Sequence, residues 1–178
     1  MARNIEMKAR AADLARIERR ARALAERDPV DLLQDDTFFA CATGRLKLRE
    51  LAPDRGELIF YRRADLAGPK LSEYSIAATS TPALMRAVLT AALGVIGRVR
   101  KRRRVYLVGQ TRIHLDQVEE LGSFVELEVV LAEGQAPAEG EALAERLLCT
   151  LGIGAADLVS GAYLDHLRQD AAPGGTST

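Results

Sequence analysis

Along residues 3–10, polar and apolar side chains alternate without a break: Asn4, Glu6, Lys8 and Arg10 against Ile5, Met7 and Ala9. Successive side chains of a strand point to opposite faces, so this segment predicts a strand with one charged and one apolar face. The alternation recurs at Arg45, Lys47 and Arg49 against Leu46 and Leu48. It recurs again at Arg112, His114 and Asp116 against Ile113 and Leu115. Glu126 and Glu128 alternate with Leu127 and Val129 inside an apolar, β-branched run over 124–131. Further strands are expected at 37–40, 57–63 and 71–77, and one long strand crowded with arginine at 95–108.

Helical spacing fills the gaps. Asp13 is a candidate N-cap for a helix to about residue 27, with Leu14, Ile17, Ala21 and Leu24 as its stripe and Asp28-Pro29 as its stop. Thr81-Pro82 opens a helix to about residue 93 that is expected to bury Leu84, Val88 and Ala92. After a loop over 134–140, a helix is expected at 141–151, closed by Gly152, and a last one at 155–167. Residues 171–178 read as a small polar tail after one domain spanning 1–170. Strands and helices come in groups and do not alternate singly, which predicts an antiparallel α+β fold with a curved or closed sheet.

Composition narrows the function classes. The chain has 178 residues, with 25 Lys plus Arg against 25 Asp plus Glu, so its net charge is zero. That argues against a nucleic-acid coat or a polybasic membrane binder, even with the basic run Arg100 to Arg104. On a strand, only Lys101 and Arg103 of that run share the inner face. The uncharged stretch 87–97 is far short of the roughly 20 residues a membrane helix needs. Two cysteines, Cys41 and Cys149, make neither a disulfide framework nor a metal cluster. The expectation is a cytoplasmic protein. There is no P-loop, dinucleotide fingerprint or nucleophile elbow.

The chemistry lies in the parity of the charges. If the sheet closes with its apolar faces outward against the helices, the charged faces converge on an interior, and such an interior is a ligand cavity. The cations available are Lys8, Arg10, Arg45, Lys47, Arg49, Arg63, Lys70, Lys101, Arg103 and Arg112. Like charges about 4 Å apart repel by about 4 kcal/mol at an effective dielectric near 20, so packing them inward calls for a polyanion. Glu6, Asp116, Glu126 and Glu128 share these faces. Carboxylates beside a phosphate call in turn for a bridging divalent cation, and hard oxygen ligands suit Mg²⁺ or Mn²⁺. The inference is a metal-dependent polyphosphate site. His114 is expected to hydrogen-bond within it, and the four tyrosines read as strand or core aromatics.

The ordered set of motifs resembles the CYTH superfamily, the triphosphate tunnel metalloenzymes, which include class IV adenylyl cyclases and thiamine triphosphatases. The opening alternation Asn4-Ile5-Glu6-Met7-Lys8 is similar to the family's E-x-E-x-K strand, with Asn4 at its first acidic position. GRLKLR at Gly44–Arg49, GPK at Gly68–Lys70, K-x-R at Lys101–Arg103, RIHLD at Arg112–Asp116 and LGSFVELEV at Leu121–Val129 follow in order. The resemblance implies a closed barrel of eight antiparallel strands with helices outside, and a homodimer. It implies Glu6, Asp116, Glu126 and Glu128 as metal ligands. It implies Lys8, Arg45, Lys47, Arg49, Lys101, Arg103 and Arg112 as phosphate contacts. Arg10 joins these as a further cation on the same strand face. Arg63 and Lys70 are expected near a loop at the nucleotide end. Catalysis is expected of Glu6, Lys8, Asp116 and Glu126.

The reading that follows is a class IV-like adenylyl cyclase turning ATP into cyclic AMP and pyrophosphate. The alternative is hydrolysis of inorganic triphosphate, thiamine triphosphate or a nucleoside triphosphate in the same tunnel. Asn4 brings no charge, which leaves a non-catalytic triphosphate binder as a third reading.

Overall fold

The computed structural model describes residues 1–170, so the tail over 171–178 lies outside the described residues. Eight strands carry the fold: β1 (Ala2–Arg10), β2 (Val30–Phe39), β3 (Arg45–Ala52), β4 (Arg55–Arg63), β5 (Lys70–Thr79), β6 (Val95–Val108), β7 (Thr111–Val118) and β8 (Gly122–Val130). They close into a barrel in the order β1-β5-β4-β3-β2-β6-β7-β8. Every pairing is antiparallel. Two meanders, β2 to β5 and β6 to β8, are joined along β2–β6, and β1 seals the gap between β5 and β8. Closure leaves no free sheet edge.

Four helices lie outside: α1 (Leu14–Leu24), α2 (Pro82–Leu93), α3 (Pro137–Leu151) and α4 (Tyr163–Asp170). The core forms between helices and barrel. Ile5, Met7, Ile113, Leu127 and Val129 face outward into a cluster with Ile17 and Ala21 of α1 and Ala144, Leu148 and Leu151 of α3. These are the apolar faces that the alternation predicts. A second cluster, with Phe38, Val99, Phe124, Tyr163 and Leu164, closes one end of the barrel beneath α4. No helix among the described residues is long and apolar enough to cross a membrane.

Several boundaries differ from expectation, each for a local reason. α1 stops at Leu24 because Ala25 turns extended and its N–H donates to the Arg22 carbonyl. β2 begins at Val30, well before residue 37, because it pairs along its whole length with β6. α3 begins at Pro137, which is pre-set for a first helical position. Gly140 therefore sits inside the helix and not in a loop, and a Cβ there would stand 2.7 Å from Leu131 and 2.8 Å from Ile5. The expected helix over 155–167 is split into a 3-10 turn, Ala155–Asp157, and α4. Between them the chain is drawn along β1, where the Val159 N–H donates to the Lys8 carbonyl.

The helix α2 reverses its expected face. Leu84 and Val88 are 65% and 59% exposed, and Ala92 is exposed as well. The helix instead turns Pro82, Met85, Arg86 and Leu89 toward the barrel. Arg86, the helix's one charge, donates to Glu50 at 2.5 Å, and this ion pair selects the face.

Candidate active site

The register sets charged residues side by side within the barrel, three pairs of opposite sign and one pair of carboxylates. Glu6 stands opposite Glu128 and Lys8 opposite Glu126 across β1–β8. Arg103 faces Asp116 across β6–β7, and Asp36 faces Arg49 across β2–β3. The inward faces enclose a cavity of about 460 Å³. Of the expected site residues, Glu6, Lys8, Lys47, Arg49, Arg63, Lys101, Arg103, Arg112, Glu126 and Glu128 line it.

Two ionic centres organise the cavity. In the first, Asp36 is fully buried and accepts hydrogen bonds from Lys47 at 2.9 Å and Lys101 at 3.1 Å. Arg49 adds a two-pronged contact at 2.8 and 2.9 Å. Burial alone would raise the Asp36 pKa, but Arg49, Lys101 and Lys47 hold it well below the usual carboxylate range. The lysines bear the cost of crowding. Burial and the neighbouring Arg49 push Lys47 down to about 7, although Asp36 opposes the shift. Lys101 is also lowered, by burial first and then by Arg49 and Arg103.

The second centre is built on Glu126. One oxygen accepts from Arg103 at 3.1 Å and meets His114 Nδ1 at 3.2 Å. The other lies 3.3 Å from Lys8. Glu126 is buried, which would raise its pKa, but Arg103, Lys8 and His114 hold it well below the usual range. Glu128 approaches His114 Nε2 at 3.8 Å and accepts from Arg112 at 3.3 Å. His114, Glu126 and Glu128 thus offer three ligand atoms within 4.8 Å of one another. Glu6 is paired with Arg63; Asn4 and Gln34 line the same cavity, and their buried oxygens Oδ1 and Oε1 have no protein partner.

The structure brings four expected residues elsewhere. Arg10 is exposed, with its guanidinium 5.2 Å from the Phe124 ring, outside the cavity. Arg45 pairs with Asp65 and Asp165, each at 2.8 Å. Lys70 donates to the Leu66 carbonyl at 3.2 Å, and burial pushes it down to about 8. Asp116 lies behind Arg103, which grips both its oxygens at 2.7 and 2.6 Å.

Two further residues join these ionic centres without a signal in the alternation. Asp36 follows Leu32-Leu33 and Asp35, which break the alternation, so no strand was expected there. Tyr163 was expected as a core aromatic, yet its hydroxyl donates to Asp116 at 2.8 Å and Lys8 Nζ lies 4.1 Å from its ring centroid. At the other end the cavity opens past Val30 and Ile76, about half exposed, together with Leu32 and Leu51.

The CYTH domain family model matches residues 2–163. A protein from Pyrococcus horikoshii OT3 has a similar structure, with a TM-score of 0.77 at 21% identity, covering 91% of this chain and 98% of its own. A Vibrio parahaemolyticus protein named provisionally as an adenylate cyclase gives a TM-score of 0.74 at 17% identity, covering 93% and 97%. A Hippeastrum protein named provisionally as an adenylyl cyclase, and described as having a dominant triphosphatase activity, gives 0.68 at 18%, covering 96% of each chain. No curated protein matches the chain in sequence.

Proposed function

The chain belongs to the CYTH domain family, and from that membership and the tunnel's charge we propose a metal-dependent enzyme acting on an organic triphosphate. The leading reaction is cyclisation of ATP to cyclic AMP and pyrophosphate. The observation that carries the reading is Asp36, a single carboxylate set against three inward cations, Lys47, Arg49 and Lys101. A polyanion relieves that excess, and arginine's fork matches phosphate oxygens. The apolar side chains at the open end, Val30, Leu32, Leu51 and Ile76, favour a substrate with an organic group over inorganic triphosphate.

In this reading Lys8, Lys47, Arg49, Lys101, Arg103 and Arg112 hold the triphosphate along the tunnel. They fix the α-phosphorus in line with the ribose 3′-oxygen and neutralise charge on the departing pyrophosphate. Arg63 lines the tunnel paired with Glu6, while Lys70, Arg45 and Arg10 stand outside it. The set His114, Glu126 and Glu128 fits Mg²⁺ or Mn²⁺, because carboxylate oxygens and one imidazole converge there and Asn4, which lines the same cavity, has a buried Oδ1 with no protein partner. A divalent cation there would lower the pKa of an attacking hydroxyl and offset charge at phosphorus. Glu6, opposite Glu128, and Asp116, behind Arg103, complete the acidic set. The reading also takes the enzyme as a cytoplasmic homodimer.

Hydrolysis in the same cradle is the second reading, prompted by the triphosphatase activity described for the Hippeastrum protein. The test is product analysis of purified protein with ATP and, separately, inorganic triphosphate, each with Mg²⁺ or Mn²⁺. Cyclic AMP with pyrophosphate supports the cyclase. Orthophosphate without cyclic nucleotide moves the protein to the triphosphatases. Binding without turnover under every condition removes the enzymatic reading.

A further inference from the structure

His114 sits between two carboxylates, and its two ring nitrogens are not equivalent. Nδ1 is 3.2 Å from Glu126 Oε1, within hydrogen-bond reach, whereas Nε2 is 3.8 Å from Glu128 Oε2. Both oxygens of Glu126 are engaged, one by His114 and Arg103 and the other by Lys8. A proton on Nδ1 donated to Glu126 leaves the Nε2 lone pair facing Glu128. In metal sites a carboxylate behind a histidine fixes its tautomer and orientation in this way. The Nε2–Oε2 separation is short enough for both atoms to reach one ion.

We propose that His114 Nε2 and Glu128 are direct ligands of the divalent cation and that Glu126 orients the histidine. We further propose that the imidazole makes the site prefer a first-row transition cation such as Mn²⁺ over Mg²⁺. Several observations converge. His114 is 3% exposed, so its nitrogens are not spent on solvent. Glu128, steadied by Arg112, is the less enclosed of the two glutamates and faces the cavity. Asn4 Oδ1 supplies a buried oxygen without a protein partner, on the strand that carries Glu6 opposite Glu128. Imidazole nitrogen suits transition cations, while Mg²⁺ favours oxygen alone. The inference rests on the reading of the tunnel as metal-dependent, and it changes the role of Glu126 from ligand to support.

The experiment is Mn²⁺ binding to the nucleotide-free full chain, followed by electron paramagnetic resonance, with pulsed detection of nitrogen coupling and with Mg²⁺ as competitor. The wild type is expected to show imidazole nitrogen coupling. His114→Gln is expected to lose it, with Mn²⁺ affinity falling sharply and Mg²⁺ affinity changing far less. Glu126→Gln is expected to keep the nitrogen coupling at reduced affinity. Bound Mn²⁺ without nitrogen coupling in the wild type overturns the proposal and needs no variant to fold. So does an equal loss of Mn²⁺ and Mg²⁺ in His114→Gln, or no Mn²⁺ binding at all. Metal-free calorimetry with inorganic triphosphate tests the tunnel separately. Failure there sinks the triphosphate reading and leaves the nitrogen signal to stand or fall by itself.

Discussion

Arg49 donates two parallel hydrogen bonds to the carboxylate of Asp36, Nε to Oδ1 at 2.8 Å and the terminal nitrogen to Oδ2 at 2.9 Å, across the β2–β3 pairing. The pair is buried and also anchors Lys47 and Lys101. Removing the charge leaves three cations facing one another. Breaking a buried pair from one side costs about 3–5 kcal/mol. Asp36→Asn should therefore lower the melting temperature by about 10 °C. Added triphosphate should recover more stability in this variant than in the wild type, because the ligand replaces the lost anion. Thermal unfolding with and without inorganic triphosphate measures both, and equal ligand shifts would count against Asp36 as the counter-charge of the cradle.

Lys47 makes the same crowding visible in pH dependence. Its folded pKa is pushed down to about 7 from the ordinary 10.5. Asp36, Arg49 and Lys101 are the charged groups that act on it. Below pH 7 both folded and unfolded chains carry the proton, and the penalty for burying the charge is fully present. Between about 7 and 10.5 the unfolded chain binds the proton and the folded chain does not, so stability rises with pH by up to about 1.4 kcal/mol per unit. Lys47→Met should flatten denaturation midpoints between pH 7 and 9. A polyanion should pull the pKa back up, so triphosphate binding at pH 8 should take up a proton. Calorimetry in two buffers of different ionisation heat reads that uptake, and a buffer-independent heat would remove Lys47 from the phosphate contacts.

Neighbours on β6 test the parity of the barrel directly. Arg102 is exposed, while Arg103 is buried and grips Asp116 at 2.6 and 2.7 Å. Arg102→Gln should change stability by less than about 0.5 kcal/mol and leave turnover intact. Arg103→Gln strands a buried carboxylate and should cost about 3–5 kcal/mol. Glu126→Gln should abolish turnover while the fold persists, since it loosens Lys8, Arg103 and His114 together. Denaturant unfolding and product formation on the three variants form the measurement. A large loss in Arg102→Gln would place the wrong face inside.

What was readable in the sequence follows from how local each determinant is. Ile5, Met7, Ile113, Leu127 and Val129 alternate with charges, so their outward burial and the inward charged face both follow from a period of two. Asp36 has no such signal: its strand is specified by pairing with β6, a long-range contact that overrides the broken alternation of Val30 to Asp36. In α2 almost every residue is apolar, so spacing offers two stripes and Arg86–Glu50 decides between them. Tyr163 reaches the cavity only because α4 folds back over the barrel end, where Leu164 packs on Gly97. The role of His114 depends on which nitrogen faces which glutamate, a matter of cross-strand register.

The open end of the tunnel separates a nucleotide enzyme from one that needs only the phosphate chain. Ile76 and Val30 line it and remain 50% and 53% exposed, an arrangement that leaves apolar area for a substrate to cover. In the proposed reading, phosphates held by Lys47, Arg49 and Lys101 would lie deeper and would not need those side chains. Ile76→Ser removes apolar contact at the mouth and leaves the cations in place. At about 25 cal/mol per Å² the loss is roughly 1 kcal/mol, or about a fivefold weaker hold on an organic triphosphate. The variant should raise the ATP dissociation constant by that factor and leave inorganic triphosphate binding unchanged. Titration calorimetry with both ligands on wild type and variant gives the comparison. If both weaken together, the mouth acts on the phosphate chain and the preference for an organic substrate is lost. If neither moves, the base lies away from Ile76 and the apolar rim does not select the substrate.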